Sequence, residues 1–190
     1  MPNPHLKRVP REDLPPNLRT RWETDMKTRG EAVFVEVVAN APELLDWYID
    51  SFYGQVFAHG RVPNRLKQLA RIKLSTMHGC AYCNRGNIKA ALAAGVTQAQ
   101  LDTLHDIDGG PYDGAEQAIL RLAEEMAMQN LEGYMSKPLY DDLRRHFDDG
   151  QIVELGMVMA VLTGMAKFLF VYDLVSREAN CPVALPQAAE

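Results

Sequence analysis

His78-Gly79-Cys80-Ala81-Tyr82-Cys83 is the stretch whose reading decides the fold. Gly79 interrupts one helical pattern, and the two cysteines open the next, three residues apart. Residues at i and i+3 share a helix face, so both thiols belong to one side of one turn and can close a disulfide. A helix start also favours the thiolate, because unpaired N–H groups and the macrodipole stabilise negative charge there. Cys181 is the only other cysteine of the 190-residue chain. A pair with one left over is a local dithiol, not a disulfide framework.

Working outward, the pattern is helical in both directions. Asn64 to about Met77 places Leu66, Leu69, Ile72 and Leu74 on one face. Upstream, an apolar segment from Glu31 to Ala39 stops at Asn40-Ala41-Pro42. Pro42 then opens a helix to about Ala58, with Leu44, Leu45, Tyr48, Phe52 and Val56 expected to face inward. Downstream, the dithiol helix runs to Ala94 and stops at Gly95. Thr97 to Gln100 has capping-box form. Ala115 to Met128, Pro138 to Phe147 and about Asp149 to Arg177 complete the set, with Asp148 and Asp149 as caps of the last helix. Five prolines in the first 20 residues predict an extended N-terminal arm. The expectation is an all-α helical bundle of seven or eight helices in a single domain, residues 1–190, with 1–20 as the arm.

Composition bounds the function classes. Apolar residues make up 47% and charged residues 24%, as in an ordinary globular domain. A net charge of −5 argues against nucleic acid or an anionic membrane as the main partner. Residues 1–10 lack the apolar core of a secretory signal. The most apolar stretch, Ile152 to Val175, is interrupted by Glu154, Lys167 and Asp173, which predicts a buried helix and no membrane span. A reducing cytoplasm is the expected location, where a dithiol is catalytic, redox-sensing or metal-binding.

Around the thiols, Asn87 follows Cys83 by four residues and shares its face, whereas Arg85 points to the side. Gln68 precedes Cys80 by twelve and could face back across a helical hairpin. His78 is the nearby ionisable candidate for a base, Tyr82 packs or lines the pocket, and Glu154 either lines the cavity, reaches a neighbouring subunit or serves as a helix-start acid. A zinc site would need two further ligands from His59, His78, His105 or Cys181, and no second ligand-spaced motif offers them, so neither metal nor cofactor is expected.

The stretch from Leu66 to Leu104, with its Cys-x-x-Cys, the small-residue helix after it, Gly95 and the Thr97 cap, resembles the carboxymuconolactone decarboxylase / AhpD-like superfamily. Looser similarity reaches Gln151-Ile152-Val153-Glu154-Leu155. The resemblance implies an all-α, alkylhydroperoxidase-like homo-oligomer, a trimer or hexamer. It also implies thiol-dependent reduction of peroxides, or exchange with a disulfide-reductant protein. Cys83 would attack and Cys80 resolve. The superfamily's relay places a glutamate twelve residues before the first cysteine and a histidine four after the second; here those positions hold Gln68 and Asn87. Both amides keep size and hydrogen bonding but cannot move a proton as a base, a step worth about 10²–10⁴-fold where it is used. Three readings follow: a thiol oxidoreductase, a cofactor-free lyase or decarboxylase acting on a small organic substrate, and a non-enzymatic redox-responsive oligomer.

Overall fold

Helix α4 (Asn64–Met77) lies at the centre, and its burial pattern shows why. Lys67, Leu69, Ala70, Ile72, Lys73, Leu74 and Ser75 are all buried, so most of its circumference meets other parts of the chain. Around it pack α5 (Ala81–Ala93), α7 (Gly114–Glu125) and α9 (Asp149–Val171). This is a computed structural model describing residues 2–183. The described residues form nine α-helices and no strand; the others are α1 (Pro16–Arg29), α2 (Val33–Val38), α3 (Pro42–Asp46), α6 (Gln98–Asp102) and α8 (Lys137–Arg144).

Two lysines on α4 enter the interior, where an ammonium persists only if paired. Lys67 Nζ donates to Glu154 Oε1 at 2.8 Å and to the Val56 carbonyl at 2.7 Å. Lys73 Nζ donates to Glu124 at 2.6 Å and to the Leu104 carbonyl at 2.8 Å. Apolar contacts supply the rest. Leu155, Val158 and Met159 of α9 are fully buried, each side chain contributing about 2 kcal/mol by leaving water. Although α9 is long and apolar enough to cross a bilayer by length and composition, its inner face packs as a core helix does.

Several expectations need correction. The N-terminal arm is shorter than 20 residues. Pro16 sits at the first helical position of α1, where its missing N–H costs nothing, and Gly30 (φ 77°) ends that helix. The helix after Pro42 becomes a π-helix over Trp47–Phe57. Its wider turn advances the buried face by four to five residues, so Phe52 and Phe57 are buried while Val56 is exposed; Leu44, in α3 before it, is exposed as well, with Leu45 the buried residue there. Helix α9 ends at Val171 rather than near Arg177, because Asp173 takes a left-handed conformation (φ 52°) and turns the chain back. The returning strand of coil then covers the start of α5: Tyr82 N–H donates to the Ser176 carbonyl and Glu178 N–H to the Gly79 carbonyl. The caps at Thr97 and Asp148 form as read, each a reciprocal capping box.

Candidate functional site

Cys80 is the N-cap of α5, and its sulfur accepts the backbone N–H of Cys83 at 3.2 Å. The two cysteines are joined as a disulfide with Cα atoms 5.2 Å apart, inside the ordinary range. Cys80 is fully buried and Cys83 partly buried, so Cys83 is the more accessible residue of the pair. Gly79 makes the tight entry possible. Its φ is +63°, and a Cβ there would lie 2.6 Å from the Cys181 backbone nitrogen. Cys181 packs against the same apolar cluster as the pair.

Below the thiols, Asn87 Nδ2 donates to Ser75 Oγ at 3.0 Å, both side chains buried. Gln68 does not join them. It donates to Asn64 at 3.3 Å, and seven residues separate it from Ser75, about 10 Å along α4. Gln68 and Asn87 thus bond to different partners, and the Gln68 carbonyl oxygen is buried without a donor among the described residues. His78 is not on an exposed loop. It is 1% exposed, and its Nε2 accepts the Met128 backbone N–H at 3.0 Å. Burial lowers its pKa to about 4, so at neutral pH the ring is uncharged and its acceptor nitrogen is occupied. Ser75, His78 and Asn87 line a small cavity of about 40 Å³ with Tyr53, Arg71 and Leu162.

Tyr82 turns away from the sulfurs into a second cavity, of about 310 Å³, formed by α1, the π-helix, α4 and α5. Its hydroxyl donates to Asp25 Oδ2 at 2.5 Å, and the Arg29 guanidinium lies 4.8 Å above its ring. Burial, then the Asp25 charge, push the phenol pKa far up, so it is a fixed donor and not an acid at neutral pH. Asp25 is fully buried between Arg29 (2.6 Å) and Arg21 (3.3 Å). Burial works against the Arg21 charge, yet Asp25 and the nearby tyrosines hold its pKa above the usual guanidinium value. Arg71 and Tyr53 line both cavities and form the wall they share.

Glu154 belongs to neither cavity. It is occupied by Lys67 and by the backbone N–H groups of Arg61 (2.5 Å) and Val62 (3.1 Å). Desolvation alone would raise its pKa, but those three donors bring it below the ordinary value. Of the residues singled out in the sequence, Cys80 and Cys83 are joined, His78 and Asn87 line the small cavity, Tyr82 lines the larger one, and Gln68 and Glu154 line neither. Asp25, Arg21, Arg29, Arg71 and Tyr53 were missed. The available signal was Arg21-x₃-Asp25-x₃-Arg29, an i, i+4, i+8 stripe that puts three charges on one helix face. A shallower groove of about 560 Å³ between α7 and α8 shares no residue with these cavities.

Residues 42–125, which contain the π-helix, α4 and the dithiol helix, match the model of the Carboxymuconolactone decarboxylase family. Over that segment the chain is similar to this family. The uncharacterized protein YdfG of Bacillus subtilis (strain 168) is 29% identical over 94 residues, 49% of this chain; the match spans 63% of that protein's length. Among solved structures, a cysteine-to-alanine variant of the debrominase Bmp8 in complex with 2,3,4-tribromopyrrole superposes with a TM-score of 0.72 at 18% identity, covering 94% of each chain. An uncharacterized peroxidase-related protein from Ralstonia eutropha JMP134, described as an alkylhydroperoxidase AhpD core, gives 0.72 at 12% identity, covering 98% of this chain and all of that one. At such identities the likeness is one of fold.

Proposed function

We propose that the chain is a dithiol oxidoreductase in which Cys83 is the attacking sulfur and Cys80 the resolving one. The observation that carries this is the difference in access within one turn: Cys80 is sealed and capped, Cys83 is only partly buried. In the oxidised protein, an incoming thiolate attacks Cys83 Sγ, the S–S bond breaks, and Cys80 leaves as a thiolate held by the Cys83 N–H. A second thiolate on the reductant then displaces Cys83, completing its own disulfide. In the reduced protein, the Cys83 thiolate attacks a peroxide oxygen, the O–O bond breaks, and the alkoxide takes a proton to become an alcohol. Cys80 thiolate then attacks the resulting Cys83 sulfenic acid, forming the disulfide and releasing water.

Exchange with a disulfide fits better than peroxide reduction. Gln68 and Asn87 are amides, and His78 already accepts a backbone N–H, so none of these candidates is a free base for Cys83. The deciding assay supplies a dithiol reductant and either a small disulfide or an organic hydroperoxide. Turnover is expected with the disulfide, weaker with the peroxide, and absent in Cys83→Ser. Turnover that survives Cys83→Ser would overturn the reading.

We also infer assembly with further copies of the chain. Val153, Met157, Ala160, Gly164, Lys167 and Val171 are all exposed on α9, at spacings of four and three. That alternation makes a continuous, mostly apolar seam suited to a facing helix. A homo-oligomer is the assembly this seam supports.

A further inference from the structure

The 310 Å³ cavity beside the dithiol helix has more positive charge than the described residues neutralise. Arg21, Arg29 and Arg71 all line it, and no carboxylate does. Asp25 lies behind Arg21 and Arg29 and is shared between them and the Tyr82 hydroxyl. Arg71 has no carboxylate and no hydrogen-bond acceptor among the described residues, and its Nε is out of solvent; the Nε of Arg29 is buried without an acceptor too. Arg71 is held instead by aromatic faces, 5.6 Å from the Tyr53 ring centre and 5.1 Å from that of Phe57. Arg71 is only partly buried, but its Nε is out of solvent with no acceptor among the described residues, a donor that a ligand anion entering the cavity would satisfy.

The remaining wall distinguishes among anions. Phe34, Tyr48, Ile49 and Ala90 present apolar surface opposite the arginines. An inorganic oxyanion would leave that surface wet, whereas a planar organic anion covers it while its charged end meets the guanidinium groups.

We propose that this cavity binds a small aromatic carboxylate, with its carboxylate on Arg71 and Arg29 and its ring against Phe34 and Tyr48. This goes beyond the oxidoreductase reading and does not rest on it: Tyr82, Gly86 and Ala90 of α5 line the cavity, and neither sulfur does.

The test uses the full chain with both cysteines changed to serine, so that no thiol chemistry contributes. Benzoate, benzamide and inorganic phosphate are titrated by calorimetry and by chemical-shift perturbation. Benzoate is expected to saturate a single site and to bind about tenfold or more tightly than benzamide, and phosphate at equal concentration is expected not to displace it. Arg71→Gln should weaken benzoate about tenfold or more. Arg71→Lys, which keeps the charge without the fork, should fall between, and it serves should the glutamine variant fail to fold. Equal affinity for benzoate and benzamide, displacement by phosphate, or undiminished binding in a folded Arg71 variant would overturn the proposal. Binding without thiol turnover in the wild type would sink only the oxidoreductase reading; turnover without benzoate binding would sink only this one.

Discussion

Asn87 Nδ2 sits 3.0 Å from Ser75 Oγ, one turn along α5 from Cys83, at the position where the resemblance drawn from the sequence would put a relay histidine. This amide–hydroxyl contact joins α4 to α5 but moves no proton. Asn87→His therefore puts a titratable ring on the face of Cys83. The alkylation rate of the reduced thiol should acquire a pH step near ~6.5, and peroxide turnover should rise roughly tenfold to a hundredfold. A rate profile identical to the wild type would mean that position 87 does not address the sulfur. Asn87→Ala should instead cost about 1 kcal/mol, read from the urea midpoint, because Ser75 loses its buried partner.

His78 makes stability depend on pH in a window of its own. Its pKa is about 4 in the fold against an ordinary 6.5, so between those values the unfolded chain binds a proton that the folded one refuses. Its contribution is thus complete above pH 6.5 and lost as pH falls toward 4, on the order of 3 kcal/mol in total. Glu154 also has a lowered pKa, but its stabilisation is lost only below the ordinary carboxylate value of 4.5. Urea unfolding of His78→Gln should be flatter between pH 6.5 and 4.5 than that of the wild type. An unchanged slope would show that His78 titrates normally.

What the sequence disclosed was the local chemistry. The dithiol turn, the caps at Thr97 and Asp148, and the glycine stop at Gly95 each depend on residues within four positions of one another. The cationic cavity was hidden because it is assembled from distant parts: Tyr82 meets Asp25 across 57 positions, and Arg71 comes from a third helix. Helix α1 also escaped, since its prolines suggested an arm and its surface carries little apolar periodicity. The π-helix defeated a reading that assumed 3.6 residues per turn, which is why Val56 was placed inside and Phe57 was not.

Lys67 is wholly buried, and its ammonium links the Val56 carbonyl at the end of the π-helix to Glu154 on α9. Lys67→Met leaves the Glu154 charge inside with only two backbone donors, and should cost about 3–5 kcal/mol. Adding Glu154→Gln removes the stranded charge while its amide oxygen can still accept a backbone N–H. The double variant should recover about half of the loss, measured by urea unfolding at pH 7. A double variant no more stable than Lys67→Met would show that Glu154 is not the partner that matters.

Met157 is 61% exposed in the middle of the α9 seam and touches none of the core that holds the helix in place. Met157→Glu should therefore leave helicity and the unfolding midpoint within about 0.5 kcal/mol of the wild type. In the oligomer the same change buries like charges against one another. The mass by light scattering should drop toward that of a single chain. A wild type already monomeric at micromolar concentration would remove the basis for the seam.

Gly86 provides the sharpest test of how the cavity is built, because two effects of known sign oppose each other there. A Cβ at Gly86 would lie 2.5 Å from Arg29 Nη2 and 2.7 Å from Cζ, so the guanidinium rests flat on the α5 backbone where only glycine leaves room. In helical propensity alone, Gly86→Ala should stabilise by about 1 kcal/mol. It also pushes Arg29 from Asp25, a charged hydrogen bond worth about 1.5–3 kcal/mol, and Arg21 makes up only part of the difference. The single variant should accordingly be destabilised by about 1 kcal/mol. In an Arg29→Ala background nothing remains to displace, and the same change should become stabilising by about 1 kcal/mol. Urea midpoints for the four proteins of this cycle read the reversal directly. If Gly86→Ala has the same sign in both backgrounds, Arg29 does not lie where the cavity requires it.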